Sequence, residues 1–507
     1  MKIKKILLKY KAVPLSAAGV LLLFFSYPKF SFWPLAWLAL IPLLWVMLSA
    51  RGAKEAFFYG LASGFFFYAL LLHWIMPTMA AGGVAWPLRV LALFLLALLL
   101  SLEFAVLFLA GWKAGKFGHM PAAFIISSLW VLLEFAKINA SRSLVWFPWF
   151  ILGYTQWNNP AALGVASYGK VYAVSFLLVF SQCVIAGFLV YKNSFKGAAA
   201  RVLLLFAVLF SAFYYGRTGP GAEISAPGAE LKISVLQPSI DLYKKWDVSY
   251  AEWIKSRLEK LVAEASSGKA ELIIWPENAL PGWIDDKELF KWLSDLVKKS
   301  GAWHIVGSAS RSDGRFISAF LISPSGEITG EYSKRVLVPF GEYVPLRELL
   351  GRHISAIGAL GEFESGPGKQ ELLEAGKAKI GMSICYESLF SYLFFDQLAR
   401  KPDFFANITN DGWYLDTSAP HQHLAAAVFR AAETRKPLVR AANNGISAFI
   451  SPRGEIESSL GLNEYGTLTG TVEIGAPEKG TGLISGNCAV YLSVLIVAAF
   501  LLAAMFI

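Results

Sequence analysis

Long apolar runs in the first 216 residues constrain the fold of this chain more than any other feature of its sequence. A helix needs about 20 apolar residues to cross the hydrocarbon core of a bilayer. Seven runs in this part and one near the end of the chain approach that length. The predicted transmembrane helices are 12–28, 33–50, 55–77, 87–112, 121–138, 168–191, 198–216 and 485–507. With 56% hydrophobic and 16% charged residues, the composition excludes a purely soluble protein.

Basic residues between these runs predict the orientation of the chain. Residues 1–216 contain 17 Lys and Arg against 3 Asp and Glu, whereas residues 217–507 contain 29 against 33. Cytoplasmic loops are enriched in Lys and Arg, and the basic N-terminus and every second loop fit that rule. Seven crossings from a cytoplasmic N-terminus place residue 217 outside, in the periplasm of a bacterial cell. Because the basic residues do not form one patch, they argue against a nucleic-acid partner.

The part after residue 217 has the pattern of an α/β domain, with strand-like runs alternating with amphipathic stretches. The predicted strands are 231–237, 271–275, 304–308, 316–322, 379–384, 404–408, 438–442 and 446–450, and the predicted helices are 249–266, 286–299, 388–400 and 421–435. A hairpin sequence at 318–328 recurs at 447–456, which favours two sheets built in the same way. We therefore expect an α-helical polytopic membrane domain (1–216), an outward α/β sandwich of two sheets with helices outside (217–484) and a last membrane helix (485–507).

Cys385 has no possible disulfide partner within the outward domain. The other two of the three cysteines, Cys183 and Cys488, fall in predicted membrane helices. Cys385 follows the predicted strand 379–384 and precedes a predicted helix, whose N-terminus would favour a thiolate. Its position alone fits a buried structural cysteine as well as a nucleophile.

Charged residues also follow two other predicted strands. Glu277 comes directly after strand 271–275, and Lys334 and Glu342 lie downstream of strand 316–322. A nucleophilic thiol needs a base and a group that stabilises developing negative charge. Taken separately, Glu277 and Lys334 are more simply explained as solvated surface charges, so the argument depends on their combination with Cys385.

The combination resembles the nitrilase, or carbon-nitrogen hydrolase, superfamily. The motifs that carry the resemblance are Trp275-Pro276-Glu277, Tyr332-Ser333-Lys334, Cys385-Tyr386-Glu387, Asn410-Asp411-Gly412-Trp413 and Arg440-Ala441-Ala442-Asn443-Asn444-Gly445. The resemblance implies a four-layer αββα sandwich with Cys385 as nucleophile, Glu277 as general base and Lys334 as the positive charge beside the tetrahedral intermediate. It further implies that Glu342 and Glu387 orient Lys334, and that Tyr386 with its backbone amide helps to hold the oxyanion.

Two apolar segments are candidates for a lipid entrance. The first is the aromatic connection 146–157, which is either an interfacial aromatic belt or a lip that handles lipid. The second is the segment 338–363. The entrance residues that we predict are Trp146, Trp149, Trp246, Tyr343, Leu346, Leu349 and Leu350.

The eight-span frame resembles membrane-bound members of the superfamily that transfer acyl chains. That resemblance implies an acyl donor, a phospholipid of the bilayer, and an acceptor, the α-amino group of the N-terminal cysteine of a diacylglyceryl-modified apolipoprotein. The reaction would run by a ping-pong route through a thioester on Cys385. The alternatives are a membrane-tethered amidase or nitrilase, and a transporter. Few acidic residues lie within the spans, Glu103 and Glu134 among them, which disfavours an ion path.

No cofactor is expected. The sequence lacks a glycine-rich phosphate loop followed by Lys-Ser/Thr, which argues against ATP dependence. His421 and His423 have the spacing of a partial zinc site, but a third ligand of suitable spacing does not accompany them, so we expect no metal.

Overall fold

The computed structural model describes residues 2–142, 146–191, 194–218, 228–245, 247–311, 314–344, 363–475 and 486–504. Its helices are α1 Lys2–Ser26, α2 Leu40–Ser49, α3 Ala53–Leu71, α4 Ile75–Ala81, α5 Trp86–Ala114, α6 His119–Ala140, α7 Pro160–Val190, α8 Phe195–Thr218, α9 Leu242–Lys245, α10 Ala251–Ser267, α11 Lys287–Ser300, α12 Ser391–Leu398, α13 Ala419–Thr434 and α14 Cys488–Ala504. Its strands are β1 Ala229–Gln237, β2 Leu272–Ile274, β3 Trp303–Ser310, β4 Phe316–Ile322, β5 Ile328–Ser333, β6 Leu373–Ala375, β7 Ala378–Ile384, β8 Phe404–Thr409, β9 Leu438–Ala442, β10 Ser447–Ile450, β11 Ile456–Leu460 and β12 Gly466–Ile474.

Apolar helices occupy each segment predicted to cross the membrane. Among the described residues, α5, α6, α7 and α8 are long and apolar enough to do so by themselves, and α3 with α4 forms a fifth candidate bent by 46°. The apolar parts of α1, the residues 33–49 and α14 are shorter. The segment 33–50, predicted as one helix, is a 3-10 turn Trp33–Trp37 followed by α2. The helical apolar region predicted from the sequence is therefore confirmed.

Helix α7 begins earlier than predicted and is kinked where it meets the α/β domain. It starts at Pro160 instead of residue 168, because proline suits the first helical turn. The backbone leaves the helical region at Gly169 and at Lys170, where φ is +57°. The Val171 N–H donates to Glu433 Oε1 of α13 at 2.9 Å. The α/β domain is thus hydrogen-bonded directly to a membrane helix.

In the described part of the α/β domain, residues 228–475 with their gaps, two six-stranded sheets form the centre. Their strand orders are β12-β1-β2-β3-β4-β5 and β11-β10-β9-β8-β7-β6. The recurring hairpin sequence forms β4-β5 in one sheet and β10-β11 in the other, and both hairpins have a register shift near the end of their first strand. The outer face of the first sheet packs on α10 and α11 through a separate apolar cluster that includes Ile273, Val306, Leu258 and Leu293. The nitrilase-like sandwich expected from the sequence is confirmed.

The segment after β7 differs from the predicted helix 388–400. A 3-10 helix, Cys385–Leu389, begins at the cysteine itself, and α12 follows from Ser391 to Leu398. The tight turn places the side chains of Cys385 and Glu387 at the end of β7 instead of on a longer helix.

Candidate active site

Three strands end at one edge of the sandwich and deliver the three residues expected to act together. Glu277 follows β2, Lys334 follows β5 and Cys385 follows β7. Strand β2 runs parallel to β3, and β5 has the same direction because it pairs antiparallel with β4, which pairs antiparallel with β3. The carboxyl ends of β2 and β5 therefore lie on the same edge of their sheet.

The turn that carries Glu277 lies tightly against β3. The Trp275 N–H donates to the Ile305 carbonyl at 2.8 Å, and the Ala279 N–H donates to the Gly307 carbonyl at 2.7 Å. A Cβ atom at Gly307 would lie 2.2 Å from the Pro276 carbonyl oxygen, so a side chain at this position would displace the turn. The glycine thus permits the close approach that places Glu277.

Lys334 is fully buried and is held between two carboxylates. Its Nζ lies 3.0 Å from Glu277 Oε1 and 2.5 Å from Glu342 Oε1. Burial disfavours the charged ammonium, but the two carboxylates outweigh it and hold the pKa of Lys334 well above its usual range. The site therefore contains a permanent positive charge that is shielded from water.

Backbone amides fix the far side of both carboxylates. Glu277 Oε2 accepts from the Asn410 N–H at 2.9 Å, and Glu342 Oε2 accepts from the Val338 N–H at 2.9 Å. Burial raises the pKa of Glu342, although Lys334 opposes that rise. The two carboxylates are therefore held in place from both sides, by the Lys334 ammonium and by backbone amides.

Cys385 is buried, and its backbone is in the left-handed region with φ of +52°. Such a conformation is costly for a residue with a side chain and is typical of functional sites. Burial raises the pKa of the Cys385 thiol, the Glu277 carboxylate raises it further, and Lys334 lowers it. The resting group is therefore a thiol that needs a base in order to react.

Glu387 accepts hydrogen bonds from the backbone on both sides of the site. Its Oε1 accepts from the Arg335 N–H at 2.6 Å and the Val336 N–H at 3.2 Å. Its Oε2 accepts from the Ile384 N–H at 2.8 Å and from the Tyr332 hydroxyl at 3.0 Å. Glu387 thus joins the ends of β5 and β7 through backbone amides, whereas Glu342 binds the Lys334 ammonium directly.

The aromatic connection of the membrane part reaches the back of this site. Trp149 is buried and stacks on Tyr386, with ring centroids 6.2 Å apart. Trp146 is partly buried, and its Nε1–H donates to Glu103 Oε1 of α5 at 3.1 Å. Trp149 therefore packs inside the protein and does not line an exposed belt.

The other predicted entrance residues are placed only in part. Tyr343 is partly buried, and its carbonyl accepts from the Phe340 N–H at 2.7 Å. Trp246, Leu346, Leu349 and Leu350 lie outside the described residues.

A buried polar group behind Cys385 was not predicted from the sequence. His423 Nε2 lies 2.9 Å from the Cys385 carbonyl oxygen, and His423 Nδ1 lies 2.8 Å from Asp411 Oδ1. Arg440 donates to Asp411 Oδ2 at 2.9 Å. The sequence signals for this group are a histidine on the predicted helix 421–435 and the motifs that contain Asp411 and Arg440, but none of them assigns a contact with Cys385. Within the described ranges, no three His, Cys, Asp or Glu side chains form a group that would hold a metal ion.

Comparisons with known proteins cover both parts of the chain. Residues 232–476 match the carbon-nitrogen hydrolase family, and residues 18–184 match the N-terminal domain of apolipoprotein N-acyltransferases. The apolipoprotein N-acyltransferase of Geobacter metallireducens is 34% identical over 91% of this chain and 89% of that protein. Those of Azotobacter vinelandii and Haemophilus influenzae are 31% and 29% identical and cover 90% and 96% of this chain, with 88% and 94% of their own lengths matched.

Proposed function

We propose that this chain, which belongs to the family of apolipoprotein N-acyltransferases, uses Cys385, Glu277 and Lys334 to transfer an acyl chain from a phospholipid. The acceptor is the α-amino group of the N-terminal cysteine of a diacylglyceryl-modified apolipoprotein. The observation that carries the proposal is the buried Lys334 ammonium between Glu277 and Glu342 beside a buried thiol. These groups are what acyl transfer through a thioester requires.

In the first half of the reaction, Glu277 takes the proton of the Cys385 thiol. The sulfur attacks the ester carbonyl of the phospholipid, and the Lys334 ammonium and the Tyr386 N–H stabilise the oxyanion that forms. When the carbon-oxygen bond breaks, the leaving alkoxide of the lysophospholipid receives the proton held by Glu277. The product on the enzyme is an acyl thioester.

In the second half, the neutral α-amine of the acceptor attacks the thioester carbonyl at the same oxyanion position. Glu277 takes a proton from the nitrogen of the tetrahedral intermediate. The carbon-sulfur bond then breaks, and Glu277 gives this proton to the leaving Cys385 thiolate, which restores both the resting thiol and the Glu277 carboxylate. An amide bond replaces the thioester, so the two half-reactions form a ping-pong cycle.

The membrane domain supplies the donor. Moving an acyl chain from the bilayer into water costs about 0.8 kcal/mol per methylene, so the reaction belongs at the membrane surface. We assign residues 1–216 and 485–507 to eight membrane crossings and residues 217–484 to a periplasmic catalytic domain. The distribution of Lys and Arg supports this orientation. Residues 338–363 and the aromatic connection 146–157 form the lipid entrance in this proposal.

Intact-protein mass spectrometry of the full chain in phospholipid nanodiscs tests the proposal. Without acceptor, the wild-type protein is expected to gain the mass of one acyl chain, and Cys385→Ala is expected to gain nothing. Addition of a diacylglyceryl-cysteinyl peptide should move the acyl group to the peptide amine. No adduct on the wild-type protein, or an adduct that is hydrolysed while the peptide stays unmodified, would contradict the proposal.

A further inference from the structure

His423 contacts the backbone of the nucleophile, not its side chain. The imidazole is fully buried, and Nε2 lies 2.9 Å from the Cys385 carbonyl oxygen. A carbonyl oxygen only accepts hydrogen bonds, so Nε2 carries a hydrogen and donates it. His423 is therefore bonded to the peptide unit that joins Cys385 to Tyr386.

The orientation of that peptide unit determines the direction of both the Cys385 carbonyl and the Tyr386 N–H. A peptide unit is planar and trans, so its C=O and N–H point in opposite directions. A bond that holds the Cys385 carbonyl towards His423 thereby directs the Tyr386 N–H away from His423. The amide lies in the first turn of the 3-10 helix Cys385–Leu389, where N–H groups have no acceptor within their own helix. The same bond restrains Cys385 in its left-handed conformation, with φ of +52°.

A charged group behind His423 fixes the imidazole. Nδ1 lies 2.8 Å from Asp411 Oδ1 and 3.0 Å from Arg440 NH2. Burial raises the pKa of Asp411, but Arg440 and His423 outweigh it and lower the pKa to about 2. Asp411 is thus a carboxylate at neutral pH, and its ion pair with Arg440 is itself fully buried.

The membrane part braces the same imidazole from the other side. The Trp149 ring lies 5.6 Å from the His423 ring, and its Nε1–H donates to Gln422 Oε1 at 2.9 Å. Hydrogen bonds to membrane helices anchor the connection that carries Trp149. Trp146 donates to Glu103, and the Leu152 N–H donates to Glu134 Oε1 at 2.6 Å.

We propose that His423 is a positioning residue for acyl transfer, which sets the orientation of the Cys385–Tyr386 peptide unit and is braced by Trp149 of the membrane part. The inference rests on the proposed function, because it assigns the Tyr386 N–H to the oxyanion of the thioester-forming step. His423 itself does not touch the acyl group.

Two amide substitutions, each of which places a nitrogen where one ring nitrogen lies, separate positioning from simple packing. In His423→Gln, the amide nitrogen reaches the position of Nε2 and keeps a donor to the Cys385 carbonyl. In His423→Asn, the shorter amide reaches the position of Nδ1 and retains a polar group beside Asp411 and Arg440, but it leaves the carbonyl unbound. The measurement is the single-turnover rate of acyl-adduct formation on Cys385 in phospholipid nanodiscs, as a function of donor concentration. The thermal unfolding midpoint of each variant is measured in parallel.

We expect His423→Asn to lower the maximal rate about 100-fold, since misplacement of a reacting group by about 1 Å has an effect of that size. In His423→Gln the maximal rate should fall by less than about 10-fold. Neither variant should change the donor concentration at which the rate is half-maximal. Equal losses in the two variants, or an undiminished rate in His423→Asn, would overturn the inference. If His423→Asn does not fold, the folded His423→Gln variant is measured alone. A fall of about 100-fold in its maximal rate would then also overturn the inference. A wild-type protein that forms no adduct contradicts the proposed function instead.

Discussion

The indole ring of Trp149 lies 5.6 Å from the imidazole ring of His423 and joins the membrane part of this chain to the backbone of Cys385. A domain that only bound a ligand, separately from the membrane part, would not need such a contact. Trp149 also packs on Tyr386 and Tyr414, both of the catalytic domain. The two parts of the chain are therefore one packed unit at the site where a lipid and a thiol must meet.

Trp149→Ala tests this packing. The indole is 2% exposed, so its removal leaves a cavity, and we expect a loss of about 3–5 kcal/mol in the free energy of unfolding. Trp149→Phe keeps an aromatic ring and is expected to lose less. Trp86, which is 63% exposed, offers the control Trp86→Ala, with little change. Equal unfolding free energies for Trp149→Ala and Trp86→Ala would contradict the packing argument.

Glu277→Gln tests the general base. The amide has the size of the carboxylate but does not accept a proton, so the rate of adduct formation on Cys385 should fall about 10²–10⁴-fold. The unfolding midpoint should also fall, because the amide loses the buried ion pair with Lys334 and its single oxygen does not accept from both the Asn410 N–H and the ammonium. The rate is therefore compared on folded protein. Glu327→Gln, at an exposed position of the β4-β5 turn, is the matched control. A Glu277→Gln variant with wild-type rate would exclude Glu277 as the base.

Lys334→Met tests the buried ammonium. It leaves Glu277 and Glu342 without their shared cation, and breaking such a buried pair costs about 3–5 kcal/mol of stability. Loss of one group that stabilises an oxyanion should also lower the rate about 10²–10³-fold. The double variant Lys334→Met with Glu342→Gln removes one uncompensated charge, so we expect it to regain stability but not activity.

The exposed Lys377 provides the control Lys377→Met, which should match the wild-type protein in both measurements. Recovery of activity together with stability in the double variant would show that Lys334 acts only in folding.

The strand ends that carry the site could be predicted from the sequence because the signal is local. A run of apolar residues that stops at Glu277 or Cys385 indicates a strand and the side chain at its end. The partner of Cys385 could not be found in this way. His423 comes from a helix 38 residues later, and Trp149 contacts it across 274 positions. Such contacts depend on how the domains pack, and spacing along the chain does not encode them.

Glu387 illustrates a second limit. The resemblance implied that it orients Lys334, but the way in which it does so could not be predicted. The 3-10 helix that begins at Cys385 turns its carboxylate towards the Ile384 amide and towards the Arg335 and Val336 amides, which follow Lys334. The choice between a 3-10 and an α-helical turn depends on tertiary contacts. The kink of α7 at Gly169 is similar, because Glu433 of another domain binds the N–H of Val171 beyond it.

Leu349→Ser with Leu350→Ser tests the proposed lipid entrance. If these side chains contact the acyl chain, each substitution removes about 1.5–3 kcal/mol of favourable free energy from apolar burial. Turnover of membrane phospholipid should then fall at least tenfold. Turnover of a short-chain soluble ester should fall much less, since it does not need the entrance. Ile328→Ser, at an exposed position of β5, is the control. Equal losses for both donors would contradict the entrance.

His304 gives a pH dependence of stability that is independent of the reaction. The imidazole is fully buried in β3, its Nδ1 accepts from the Trp275 Nε1–H at 2.9 Å, and burial lowers the pKa of His304 to about 3. In the unfolded chain the group titrates near its ordinary value of about 6.5. The folded-state pKa is the lower one, so its contribution to stability is complete above about pH 6.5 and is lost as the pH falls from there towards 3.

The free energy of unfolding of the full chain in detergent should therefore fall by about 2 kcal/mol through this group between pH 7 and pH 5. His304→Gln lacks the titrating group. Between pH 7 and pH 5 its unfolding free energy should therefore fall by about 2 kcal/mol less than that of the wild-type protein. His73→Gln, at an exposed position beyond α3, should keep the wild-type dependence. The same slope in wild type and His304→Gln would mean that His304 is not the group that titrates.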